Sequence, residues 1–67
     1  MPIRVIILGR DTKMVEYRPG MRVADILKEL GLLSTEYVAV KNGRVVSEEE
    51  ELSENDEVTL VPVVSGG

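Results

Sequence analysis

The sequence predicts an α+β domain in which a mixed sheet of four to five strands packs on one main helix. Three observations carry that expectation. A single window has helical apolar spacing, with Val23, Ile26, Leu27 and Leu30 at i, i+3, i+4 and i+7. Asn42-Gly43 separates two short apolar runs and is the preferred pair for a type I′ hairpin turn. The first run, Pro2–Leu8, is apolar on both faces, which suits a central strand.

The elements follow in order. In Pro2–Leu8, Ile3, Val5 and Ile7 share one face and Arg4, Ile6 and Leu8 the other. Gly9-Arg10-Asp11-Thr12 is a polar link of hairpin length, and Lys13–Arg18 reads as a second strand with Val15 and Tyr17 on one face. Pro19-Gly20 predicts a type II turn, since proline presets its first central position and glycine supplies the positive φ of its second. The helix is expected over Val23–Leu30. Gly31 stops it in the left-handed position, and Asp25 puts a carboxylate in its positive first turn; Arg22 is a poor N-cap. Tyr37–Lys41 and Arg44–Val46 are the hairpin strands. Ser47–Asp56 is acidic, with Leu52 its buried anchor, and most of Glu48–Glu51 reads as a solvated run. Glu57–Val63 is the last strand: Val58 and Leu60 face one way, Thr59, Val61 and Val63 the other. Pro62 cannot donate to a ladder, so pairing is expected to fail there and the chain to leave the sheet. First and last strands are expected to pair in parallel, with the helix in the crossover. The domain is placed at residues 1–64 and a flexible tail at 65–67.

Composition narrows the function. A chain of 67 residues leaves little volume for a deep enclosed site. It has no cysteine and no histidine, hence no thiolate nucleophile, no zinc–thiolate site and none of the commonest acid–base side chain. An enzyme is not expected, and no metal ligand set is visible. Residues 1–44 carry a net charge of +3 and residues 45–67 a net −7, giving the overall −4. With two tyrosines and no other aromatic residue, the chain lacks the basic stripe and stacking platform of a nucleic-acid binder. No apolar run approaches the roughly 20 residues needed to cross a membrane, and the N-terminus is too short in apolar residues for a secretory signal. Neither membrane nor nucleic acid is an expected partner, and a cytoplasmic monomer is the default.

The chain ends Ser65-Gly66-Gly67. Two glycines without Cβ atoms make a slender arm that can thread a narrow channel. The reactive handle at its tip is the Gly67 carboxylate, which suggests a protein acted on at its own terminus. On the far side of the sheet from the helix, Ile6, Leu8, Val61 and Val63 are expected to merge into one uncovered apolar patch beside the tail. Such a patch marks a partner-binding surface.

Three segments and the tail resemble the ubiquitin-like β-grasp sulfur carriers of the ThiS and MoaD families, over the whole chain in length and element order. The most specific is Leu52 through Gly67: a leucine, a short turn before Asp56, an apolar strand, then Gly-Gly. Val40-Lys41-Asn42-Gly43 and the Pro19-Gly20 lead into the helix are the others. Asn55 stands where glycine is usual, which implies a left-handed turn residue. Pro62 is similar to the approach to the tail in MoaD-like members, whereas the length is similar to ThiS. The resemblance implies that an adenylating enzyme of the ubiquitin-activating type joins Gly67 to AMP, using ATP and Mg that this chain does not itself bind. Sulfur then replaces AMP as a C-terminal thiocarboxylate, and a sulfur-acceptor synthase receives it, in thiamin or molybdopterin synthesis or in tRNA thiolation. The alternative is a protein modifier linked through Gly67 to target lysines.

Overall fold

The structure, a computed structural model, describes residues 2–63. The expected flexible arm at Ser65, Gly66 and Gly67 lies outside those residues. The chain runs β1 (Pro2–Ile7), β2 (Thr12–Glu16), α1 (Val23–Leu30), β3 (Tyr37–Lys41), β4 (Arg44–Val46) and β5 (Glu57–Pro62). The five strands form one mixed sheet in the order β2-β1-β5-β3-β4, with β1 and β5 parallel and the other pairs antiparallel. This is the β-grasp arrangement: a sheet curled over a single helix.

Alternation along the strands decides what is buried. Ile3, Val5, Ile7, Val15, Ala39, Val58 and Leu60 turn inward and meet Val23, Ile26 and Leu27 of the helix, with Met21 and Leu52 closing the cluster. Ile3, Val5, Val23, Ile26, Val58 and Leu60 are fully buried. The helix occupies Val23–Leu30 as expected. Gly31 ends it at φ 72°, where its N–H donates to Lys28, and Leu32 N–H closes back on Leu27.

Arg22, a poor cap by residue type, is bypassed. Asp25 accepts from the Arg22 N–H at 2.9 Å, half of a capping box. The first-turn donors that no side chain meets go to the acidic segment's backbone: Val23 N–H to Glu50 C=O at 3.0 Å and Ala24 N–H to Glu48 C=O at 2.8 Å. The stretch read as a solvated run therefore keeps most carboxylates in water while its carbonyls cap the helix.

Three further expectations are corrected. β1 stops at Ile7 rather than Leu8, and β2 spans Thr12–Glu16 rather than Lys13–Arg18. Asn55 does not adopt positive φ; Asn42, at φ 52°, is the non-glycine residue that does among those described. The Ser53–Asp56 turn closes by Asp56 N–H to Ser53 C=O at 3.1 Å and needs no left-handed residue. Pairing also does not fail at Pro62, which stands opposite Tyr37, and Val63 N–H goes on to donate to Glu36 C=O at 2.9 Å. The reason is orientation. Val63 directs its N–H toward β3, so Pro62, one residue earlier, directs its nitrogen toward β1, which has already ended.

Candidate functional site

β5 positions the site, because it lies at the centre of the sheet and leads into the tail. Its start is fixed by a polar lock at the β3–β4 turn. Asn42 and Gly43 take φ 52° and 86°, as a type I′ turn requires. Asn42 Nδ2 donates to Asp56 Oδ1 at 2.9 Å, and Asn42 Oδ1 accepts from Glu57 N–H at 3.1 Å. Ser53 N–H donates to Asp56 Oδ2 at 2.7 Å. Lys41 Nζ lies 2.6 Å from Glu50 Oε2 and 3.9 Å from Asp56 Oδ2, with the Lys41 and Asp56 side chains only 20% and 12% exposed. The Glu50 hydrogen bond chiefly, with the Asp56 charge, raises the Lys41 pKa against the opposing effect of burial. Burial by itself would raise Asp56. The Ser53 N–H, the Asn42 amide and the Lys41 charge together outweigh it and hold Asp56 low.

Ile6 and Val61 take their expected places on the sheet face opposite the helix, half-buried, and Leu8 and Val63 are exposed just past the strand ends. β1 and β5 are neighbours, so Ile6 stands opposite Thr59 and diagonal to Val61. The register adds residues that the sequence reading missed. Thr12, Ile6, Thr59, Val40 and Val45 form one row across all five strands. Val38 stands opposite Val61 in the next row toward the tail, and Met14 stands opposite Arg4 on the other side. Val45 and Met14 are 74% and 58% exposed. Alternation puts Val38 and Val40 on one face of Tyr37–Lys41, but that this face is the outward one, beside Val61, is fixed by the strand order and is not local information. The ion pair of Arg4 and Glu57, at 3.6 Å, borders the patch away from the tail.

This face is apolar and uncharged at its centre, and its most central strand carries the Gly-Gly terminus. Among the described residues, no group of three or more acidic, His or Cys side chains is placed to hold a metal, and no helix is long and apolar enough to cross a membrane. The arrangement is that of a ubiquitin-like β-grasp domain. The sequence profile of the ThiS family matches residues 5–67, and the chain belongs to that family. It is 31% identical over 65 residues to the sulfur carrier protein TtuB of Thermus thermophilus, covering 97% of this chain and all of that one. Its fold is similar to SAMP1 of Haloferax volcanii, with a TM-score of 0.78 at 21% identity over the whole of both chains. It is likewise similar to a Pyrococcus furiosus protein assigned as subunit 1 of the molybdopterin converting factor: TM-score 0.78, 24% identity, 96% of this chain and 99% of that one.

Proposed function

We propose that this protein carries sulfur as a thiocarboxylate on Gly67. The observation that carries the reading is the family match, which runs through the Gly66-Gly67 terminus itself. A carboxylate is a poor electrophile. A partner enzyme holding ATP and Mg would let a Gly67 carboxylate oxygen attack the α-phosphorus, with pyrophosphate leaving. The terminal sulfur of a persulfide would then attack the acyl carbon, with AMP leaving. A thiol of the sulfur-supplying protein would cleave the resulting S–S bond, freeing the thiocarboxylate for a sulfur-acceptor synthase. The absence of cysteine from the chain leaves no internal thiol to capture the activated acyl group.

The adenylating enzyme docks on the sheet face opposite the helix. Ile6, Val61, Val38 and Val40 form its centre, with Leu8 and Val63 toward the tail. An apolar surface continuous with the strand that bears the terminus grips the root of Ser65-Gly66-Gly67 while Gly67 enters the active site.

The test is the intact mass of the protein isolated from its own cell, followed by a one-residue extension. Exchange of one oxygen for sulfur at the terminus is expected. Adding alanine after Gly67 moves the reacting carbon by about 3.3–3.6 Å and is expected to abolish adenylation without unfolding the domain. Normal adenylation of the extended chain would overturn the reading. A ladder of conjugates on target lysines, with no thiocarboxylate, would place the protein among the modifiers instead.

A further inference from the structure

The sheet has two outer strands, β2 and β4, and they differ in what they leave unpaired. Asn42 N–H points to Glu57 of β5, so Lys41 and Ala39 point to β4 and bond with Arg44 and Val46. In that three-residue strand Val45 alone turns its backbone outward. β2 offers more. Ile7 N–H donates to Asp11 C=O at 3.1 Å, so Val5–Lys13 and Ile3–Val15 are the hydrogen-bonded pairs that follow. Thr12, Met14 and Glu16 therefore present three N–H and three C=O groups to the outside, over about 13 Å. None of the three has a backbone partner outside the β1–β2 ladder among the described residues.

A second feature adjoins this edge. On its helix side lies an open cleft of about 550 Å³, floored by Ile7, Leu30 and Leu32 and rimmed by Arg10, Asp11 and Lys13. The Lys13–Asp11 ion pair, at 3.6 Å with both side chains more than half exposed, is weak and easily exchanged. Arg10, Asp11, Lys13, Glu16 and Arg18 give this edge a net charge of +1, in a chain whose residues 45–67 carry −7. Positive charge, apolar floor and free backbone thus coincide.

We propose that the β2 edge is a docking site for an extended, acidic segment of a partner protein, which adds to the sheet as a sixth strand. Its backbone pairs with Thr12, Met14 and Glu16. Alternate side chains fall on the helix side, where one apolar residue enters the cleft over Ile7, Leu30 and Leu32 and an acidic neighbour meets Arg10 and Lys13. This site goes beyond the carrier chemistry and does not depend on it. β1 separates β2 from β5, so a protein held at this edge leaves the opposite sheet face and Gly67 free for a second enzyme. The competing explanation is that β2 is an ordinary short edge, guarded by its charges against association.

The experiment is a titration of the 15N-labelled full chain with a synthetic, acetylated and amidated peptide, Asp-Val-Thr-Val-Thr-Val-Asp, followed by amide shifts and hydrogen exchange. Saturable shifts and new exchange protection are expected at Thr12, Met14 and Glu16. The same peptide with proline at its centre is expected to lose binding, and a version with lysine for aspartate to bind several-fold more weakly. Lys13→Glu should reverse that preference between the two charged peptides. Met14→Pro should remove binding while Lys13 and Val15, whose N–H groups face β1, keep their protection; if that variant fails to fold, the Lys13→Glu reversal decides alone. Absence of saturable shifts overturns the proposal. So do shifts centred on Val61 and Val40, or concentration-dependent shifts at the β2 amides without peptide, which would mean that a second copy takes the edge.

Discussion

Val61→Asp separates docking from folding, because the two respond to this substitution by different amounts. Val61 is half-buried on the face opposite the helix, with Val38 directly across and Ile6 diagonal to it. In the free protein the new carboxylate stays in water. Folding loses one cross-strand apolar pair and some strand propensity, a cost of about 1 kcal/mol. For a domain of this size that lowers Tm by roughly 4–8 °C. In the complex, the same carboxylate would be desolvated against an apolar surface with no cation beside it: the ion pair on this face, Arg4–Glu57, lies away from the tail. Loss of a buried anchor costs about 1–2 kcal/mol or more, and burial of an unpaired polar group adds about 1–3 kcal/mol. A total near 3 kcal/mol weakens binding by about 100-fold. Titration calorimetry against the adenylating enzyme without ATP measures the affinity, and a thermal melt measures the folding cost. Affinity within about twofold of the unmodified protein, with the melt shifted as stated, would refute the assignment of this face to docking.

Two other substitutions test what holds β5 in place. Asp56→Ala removes the acceptor of the Ser53 N–H and Asn42 amide bonds and is expected to cost about 1–2 kcal/mol by urea denaturation at neutral pH. Because folding holds the Asp56 pKa below its ordinary 3.8, that contribution is complete above this value and disappears as the pH falls through the lower folded value. The stability gap between Asp56→Ala and the unmodified protein should therefore close in strong acid, and a gap that widened there would contradict the network. Ile26→Ala empties a fully buried site between helix and sheet. It should cost about 2–5 kcal/mol, a large share of the roughly 3–10 kcal/mol available to a domain of this length; a loss under about 1 kcal/mol in a chemical melt would contradict the packing described.

Where the sequence was legible, local chemistry agreed with the tertiary result. The stripe from Val23 to Leu30 and the stop at Gly31 mark the helix to the residue. Asn42-Gly43 marks the hairpin, and the parity of Ile3, Val5, Ile7, Val58 and Leu60 marks the buried face. Where it was not, the answer came from a distant segment. Arg22 looks unfit to begin a helix until the carbonyls of Glu48 and Glu50 arrive from another part of the chain. Pro62 looks like a break until strand order shows that its nitrogen faces a side with no strand. At the candidate site, Ile6 and Val61 were visible in the strand alternation, while Val40, Val45 and Met14 joined them only through the register of five strands. The Gly-Gly terminus lies outside the described residues, and the role proposed for it rests on its chemistry rather than on any neighbour in the fold.

The central place of β5 has a consequence for how the protein is made. Of the five strands it is the last in chain order, yet it is the one that joins β1 to β3. A nascent chain halted before residue 57 has two hairpins and a helix, but no strand to connect them, and the contacts that close the core span most of the sequence. Folding must therefore wait until this segment leaves the ribosome, and then proceeds through long-range closure rather than by stepwise addition. Abortive translation products remain unfolded and open to proteolysis. A partner that recognises the sheet would therefore meet only chains that already include β5.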